Sequence, residues 1–293
     1  MSIPLGKPVG LAVLAYVLWG LFPIYWKQLI HVDAVEVLAH RVLWSVPFAG
    51  AVVLIQGRLA ALRQIFSNRQ HLLILSVTSC LISVNWGVYI WAMGQDKVVE
   101  ASMGYFLSPL MSVAIGLVVF GEKIDRYQKA ALLIAACGVA GMFVAKQIVP
   151  WVALILGASF AAYGALRKQV TIDSVTGLFI ETLLILPVAL GWVLYSMSQG
   201  TSGFQSVSIS TDILLIGGGI VTATPLLLFI AGAKGMRLSS LGLLFYITPT
   251  LQFVIGLTLY QEALKRADLV AFVCIWLALA TFAWRQWAVD HND

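Results

Sequence analysis

From the first residues to the last, long apolar runs alternate with short polar breaks, and the runs are apolar on every side. A helix needs roughly 20 apolar residues to cross a hydrocarbon core of about 30 Å. Cutting the chain at its polar breaks gives ten such segments, predicted at 8–30, 33–56, 71–93, 98–120, 127–146, 150–168, 174–196, 212–233, 238–260 and 268–288. None shows the two-residue alternation of a membrane barrel strand. The expected fold class is therefore all-α integral membrane, with ten transmembrane helices. The first segment is expected to be retained: its apolar stretch from Val9 is longer than a signal-peptide core and passes Pro23 and Trp26 with no small-residue cleavage site.

Composition agrees. Of 293 residues, 60% are hydrophobic and 11% charged, and mean hydropathy is +0.94, whereas a soluble domain carries about 25% charged residues. A formal charge of +5 is spread too thinly for a nucleic-acid partner. Orientation explains it instead. With the N-terminus in the cytoplasm, twelve basic residues lie inside (Lys7, Arg58, Arg63, Arg69, Lys123, Arg126, Lys129, Arg167, Lys168, Lys234, Arg237, Arg285) and five outside (Lys27, Lys97, Lys146, Lys265, Arg266). This is the bias expected of cytoplasmic loops, so both termini, 1–7 and 290–293, are placed in the cytoplasm. The loop from Ser196 to Thr211 carries no charge and falls outside. Cys80, Cys137 and Cys274 all lie in predicted spans, where a free thiol acts as a small hydrophobe; no disulfide framework or metal site is expected.

Sliding the chain by 140 residues lays Tyr105-Phe106-Leu107-Ser108-Pro109 over Phe245-Tyr246-Ile247-Thr248-Pro249. In the same register Ile115-Gly116-Leu117 meets Ile255-Gly256-Leu257, Phe120 meets Tyr260, Glu122 meets Glu262 and Arg126 meets Arg266. Pro47 likewise meets Pro187, Tyr89 meets Phe229 and Lys97 meets Arg237. The expected organisation is two five-helix repeats, 8–147 and 150–289. Five is odd, so the second repeat enters the membrane from the opposite side, and the pair forms an inverted repeat of the kind carriers use.

The aromatic-aromatic-x-Ser/Thr-Pro element, the Ile-Gly-Leu-x-x-aromatic-x-Glu run that follows it, and Trp19-Gly20 resemble two EamA domains of the drug/metabolite transporter superfamily. His40-Arg41-Val42-Leu43-Trp44-Ser45, Asn85-Trp86 and Glu100-Ala101-Ser102-Met103-Gly104-Tyr105-Phe106 resemble its RarD branch. Nearly the whole chain is covered. The resemblance implies a ten-helix permease of the bacterial inner (plasma) membrane with a cavity between its halves, and it implies no particular substrate.

Arg41 lies about 12 Å into the second predicted helix at 1.5 Å per residue. A charge at that depth costs at least about 2.5–3.5 kcal/mol and must face protein or water. It reads either as a snorkelling or ion-paired structural residue, or as a bidentate clamp for a substrate carboxylate. Glu181 is its mate at the 140 offset and approaches from the other face, so a pair between them is either structural or part of the cycle. Glu100 reads as a helix-start carboxylate or as a proton-coupling group. His40, one helical turn from Glu36, reads as a satisfied partner or as a titrating one.

Asn85, Trp86 and Tyr89 are expected to line the substrate cavity, with Trp19, Tyr105, Tyr163, Phe229 and Tyr246 as further aromatic candidates. Ordinary packing is the alternative for each. Pro109 and Pro249 are placed within helices and read as static kinks or as symmetric gating hinges. Glu122 and Glu262 read as interfacial caps or inter-loop ion pairs. Gly138 and Gly141 read as close helix contacts, with a homodimer face as the alternative.

No Walker A, His-Glu-x-x-His, Gly-x-Ser-x-Gly or Cys-x-x-Cys sequence occurs. The expected function is secondary transport of a small organic metabolite or drug, outward, by alternating access, with proton exchange as one coupling. An uncoupled facilitator, or a non-transporting binding or assembly protein on a carrier fold, is the alternative. No enzymatic activity, cofactor or metal is expected. The partners are a small-molecule substrate and the lipid bilayer, and the chain is expected to be a monomer or weak homodimer.

Overall fold

The computed structural model describes residues 6–119, 121, 125–147, 149–233, 236 and 244–290, and among these there are helices and turns but no strand. The helices are α1 (Gly6–Gly20), α2 (Phe22–Trp26), α3 (Ala34–Ile55), α4 (Leu59–Phe66), α5 (Arg69–Gly94), α6 (Val98–Val119), α7 (Arg126–Lys146), α8 (Trp151–Arg167), α9 (Ser174–Ser198), α10 (Ile209–Ala233), α11 (Ile247–Thr258) and α12 (Arg266–Asp290). Among the described residues, seven helical stretches are long and apolar enough to cross a membrane: Pro8–Leu29, which runs through α1 and α2, then α3, α5, α6, most of α7, α9 and α10. Two shorter apolar helices, α8 and α11, have 17 and 12 residues.

The ends of the helices are chemically marked. Asp33 accepts hydrogen bonds from the N–H groups of Val35 and Glu36 at 3.0 and 3.2 Å and starts α3. Asp173, 140 positions later, does the same for α9 through Val175 and Thr176 at 3.1 and 3.0 Å. Asn68 caps α5, and Asp125 with Gln128 forms a capping box at α7.

Two elements differ from expectation. The polar break after α3 holds α4, a two-turn helix too short to show a period, anchored by Ile65 against Leu75, Val170 and Ile180. Within the ninth predicted span, the described residues show a turn at Phe245 and Tyr246 followed by a helix over Ile247–Thr258; residues 237–243 lie outside the described residues. So do Phe120, Glu122, Lys123 and Lys234.

Mated positions open mated helices: Ala34 and Ser174, Arg69 and Ile209, Arg126 and Arg266. Packing follows the same exchange. The offset turns α6 against α8 into α11 against α1, α5 against α8 into α10 against α1, and α3 against α10 into α9 against α5; α3 with α9, α6 with α11 and α7 with α12 map onto themselves. The α6–α8 contact depends on two glycines. A Cβ at Gly104 would lie 2.8 Å from the Ala153 carbonyl oxygen, and one at Gly157 would lie 2.9 Å from that of Gly104. Only bare backbone fits there. Gly138 serves a similar contact inside the chain, facing Cys274 and Ala271 of α12, while Gly141 meets nothing.

Candidate functional site

Between these helices lies a cavity of about 630 Å³. Aromatic rings form much of its wall. Tyr16 and Trp19 of α1 sit 5.8 Å from Phe229 of α10, and Phe160 of α8 stacks at 5.9 Å on Phe245. Of the residues expected here, Trp19, Arg41, Asn85, Trp86, Tyr89, Tyr105, Tyr163 and Phe229 line the cavity, as does Glu181.

Arg41 is 3% exposed, and its guanidinium carbon is 4.0 Å from the centre of the Trp86 ring, 5.0 Å from Trp26 and 5.7 Å from Phe22. Its Nε is buried without a hydrogen-bond partner, and no carboxylate among the described residues pairs with the side chain. The rings solvate the cation through their π faces but leave its charge uncompensated. A buried cation with nothing opposite it is costly, and the arrangement becomes favourable when an anion enters.

Glu181 does not supply that anion. Its Oε1 accepts from Thr78 Oγ1 at 2.7 Å, its Oε2 accepts from Tyr163 OH at 3.1 Å, and Arg167 Nε lies 3.2 Å from Oε1. The Nε–H is not aimed at the oxygen, so Arg167 contributes as a close charge. The pairing of repeat-mates is thus replaced by a pairing between α8 and α9. Asn85 is likewise fully used: its Nδ2 donates to the Leu156 carbonyl at 3.0 Å and to Ser159 Oγ at 2.9 Å, and its Oδ1 accepts from Tyr105 OH at 3.1 Å. It fixes Tyr105 in the wall.

Tyr246, expected to line this cavity, does not, and His40, Glu36 and Glu100 also lie away from it. Tyr246 stacks at 6.3 Å on Phe106, because the turn before α11 brings Phe245 to the cavity in its place. His40 packs 4.7 Å from the Phe204 ring, and its Nδ1 accepts from Trp44 Nε1 at 3.2 Å. Glu36 is 3.9 Å from His40, but its carboxylate is taken by Ser202 Oγ at 2.6 Å and the N–H groups of Gly203 and Phe204 at 2.9 and 3.2 Å. Glu100 lines a second cavity of about 430 Å³, accepts from Val152 N–H at 3.2 Å and lies 3.5 Å from Lys97.

Pro109 is interior to α6, as expected, but Pro249 stands in the first turn of α11, where a missing N–H costs no helical hydrogen bond. Residues not singled out from the sequence complete the walls: Tyr16, Phe160, Arg167, Phe245, Thr248 and Gln252. Thr248 Oγ1 donates to the Tyr16 carbonyl at 2.9 Å and Gln252 Nε2 to that of Trp19 at 3.1 Å. A polar stripe on α11, Thr248 and Gln252 four apart, was the available signal.

One end of the cavity reaches Lys168, Ile172 and Ser174 at the α8–α9 turn. Asp96 and Glu262 line the second cavity together with Glu100. Lys27 pairs with Asp96, and Glu262 Oε1 and Oε2 accept from Val98 and Val99 N–H at 2.7 and 2.8 Å. Among the described residues no cluster of His, Cys, Asp and Glu could hold a metal.

The model of the EamA-like transporter family matches residues 6–144. Protein RarD of Escherichia coli (strain K12) is 39% identical over 274 residues, covering 94% of this chain and 93% of that one. An uncharacterized transporter, YojE of Bacillus subtilis (strain 168), is 41% identical over 284 residues, covering 96% and 94%. The chloramphenicol-sensitive protein RarD of Pseudomonas aeruginosa is 30% identical, covering 95% and 94%. A solved crystal structure superposes with a TM-score of 0.58 at 18% identity over 95% of this chain and 97% of its own, a likeness of fold.

Proposed function

The chain belongs to the EamA-like transporter family, in the RarD-like branch of the drug/metabolite transporter superfamily, and within that membership we propose that it exports a small organic solute bearing an anionic group. It is a membrane transporter of the drug/metabolite type, carried by apolar helices in the inner membrane of a bacterium. The observation that carries the proposal is Arg41, a buried cation with no counter-charge, held by aromatic rings at the edge of a 630 Å³ cavity. A carboxylate on the solute supplies the missing charge through the guanidinium fork.

The transport cycle we infer is alternating access between two five-helix repeats, 8–147 and 150–289. Its support is the exchange of helix contacts under the 140-residue offset. With the termini in the cytoplasm, the α8–α9 turn lies inside, so the cavity as described faces the cytoplasm while the turns bearing Asp96 and Glu262 close the outside. Solute then enters from within and leaves when the outer ties break. Proton exchange is the coupling we favour, with Glu262 as the carboxylate at the closed end.

The test is flux. The protein is reconstituted in liposomes loaded with mixed organic acids, amino acids and neutral drugs, and loss of each is followed by mass spectrometry with and without a pH gradient. We expect selective loss of organic anions, abolished by Arg41→Ala in folded protein. Equal flux in the Arg41→Ala protein overturns the clamp, and loss independent of the gradient makes the protein an uncoupled facilitator. No flux of any solute from folded protein overturns the carrier reading.

A further inference from the structure

The charge inventory of the cavity narrows the solute further than the presence of an anionic group. Among the described lining residues, three cationic side chains, Arg41, Arg167 and Lys168, stand against one carboxylate, Glu181. Glu181 is the only carboxylate among the lining residues, and it is 1% exposed with both oxygens occupied by Thr78, Tyr163 and Arg167. It has no face left for an ammonium group. The Asn85 amide oxygen is spent on Tyr105. Two further polar atoms of lining residues, Tyr89 OH and Gln252 Oε1, are buried without a partner. An ammonium needs acceptors for its N–H bonds and an opposite charge nearby, and the described lining holds no unpaired carboxylate to supply that charge.

The geometry of an α-amino acid makes matters worse. Its ammonium is attached one carbon from its carboxylate, so seating the carboxylate on Arg41 brings the ammonium into the field of that same guanidinium. The π faces nearest the carboxylate seat, those of Phe22, Trp26 and Trp86, are already turned to Arg41. What the remaining walls offer is a run of rings, Tyr16, Trp19, Phe229, Phe245 and Phe160, suited to a flat apolar body.

We propose that the cavity selects organic monoanions with a planar apolar body and discriminates against zwitterions and cations built on the same body. The assignment rests on the anion-clamp reading above and refines it. Discrimination here comes from missing compensation as much as from attraction, which is how a site rejects a close analogue.

Three probes share one body and differ in charge: 3-phenylpropanoate, phenylalanine and 2-phenylethylammonium. Binding to the full chain in nanodiscs is read by emission excited at 295 nm, where Trp19 and Trp86 absorb and the probes do not, and by the shift in melting temperature. 3-Phenylpropanoate is expected to bind at least about tenfold more tightly than phenylalanine, with no response to 2-phenylethylammonium, and Arg41→Gln is expected to erase the preference. Phenylalanine binding as tightly as 3-phenylpropanoate, with both lost in Arg41→Gln, overturns the charge class and leaves the clamp standing. A preference that survives Arg41→Gln overturns the clamp itself. Stronger binding of 2-phenylethylammonium, or no response to any probe by protein that melts cooperatively, overturns the class assignment.

Discussion

Glu262 caps a helix that begins 164 residues earlier in the chain: its Oε1 accepts the Val98 N–H of α6 at 2.7 Å. Its Oε2 takes the next donor, Val99 N–H, at 2.8 Å. Two orphan donors at a helix start are satisfied by a carboxylate from the turn after α11, which the positive end of the helix also favours. The same corner carries the Lys27–Asp96 pair.

Burial raises the Glu262 carboxyl above its ordinary value of 4.5, with the hydrogen bonds from Val99 and Val98 and the charge of Lys27 pulling the other way. A folded-state value above the unfolded one means that the group's contribution to stability is complete below pH 4.5 and is lost as pH rises through the raised value. Melting temperatures across this range are expected to fall with pH for the parent chain relative to Glu262→Gln. A difference between the two that does not change with pH contradicts this.

Arg41→Met removes a buried cation that has no partner and leaves a side chain of similar reach. Stability is expected to rise by about 1–3 kcal/mol, since replacing uncompensated buried charge with apolar volume is favourable. Thermal unfolding in detergent checks it. A lower melting temperature would assign the guanidinium to holding the helices together.

Glu181→Gln has the opposite sign. It leaves Arg167 without its carboxylate and weakens the bonds from Thr78 and Tyr163, for a cost of about 3–5 kcal/mol. Adding Arg167→Met is expected to recover most of that loss. A double-mutant cycle on unfolding free energy measures the coupling, and additivity of the two changes would refute it.

Gly104→Ala forces a methyl against the Ala153 carbonyl and Leu156, and is expected to destabilise by about 1–3 kcal/mol. Gly10 of α1 has open space at the same position, so Gly10→Ala is expected to be neutral or to stabilise by up to about 1 kcal/mol. Equal effects of the two substitutions would remove the case for a tight α6–α8 contact.

Much of this was legible from residue types and spacing. Apolar run length places most helices, and Asp33 and Asp173 mark two helix starts because a short carboxylate is what a first turn needs. Arg41 stands out because charge at its depth requires a reason. The identity of its partner did not follow, since the offset relates Arg41 to Glu181 by symmetry while contact depends on which helix lies alongside: α8 packs closely enough for Arg167 to reach Glu181 first. Tyr246 was misplaced for a local reason. At the turn of Phe245 and Tyr246 the first ring meets Phe160 and the second Phe106, and no pattern in the aromatic pair indicates which ring faces inward. Gln252 and Thr248 were hidden among apolar neighbours because hydrogen bonds to the carbonyls of Trp19 and Tyr16 let them sit there without charge.

The brevity of α8 has a consequence for the lipid around it. Seventeen residues rise about 26 Å, against a hydrocarbon core of about 30 Å. Trp151 marks one end of the helix, 4.9 Å from Trp91 and beneath Lys97, and Arg167 and Lys168 mark the other, so both ends are anchored to interfaces. Such mismatch is relieved by thinning the membrane locally or by drawing the anchors inward. Because α8 also carries Phe160, Tyr163 and Arg167, a change of acyl chain length is expected to load the wall that meets Glu181 and to alter the shape of the cavity.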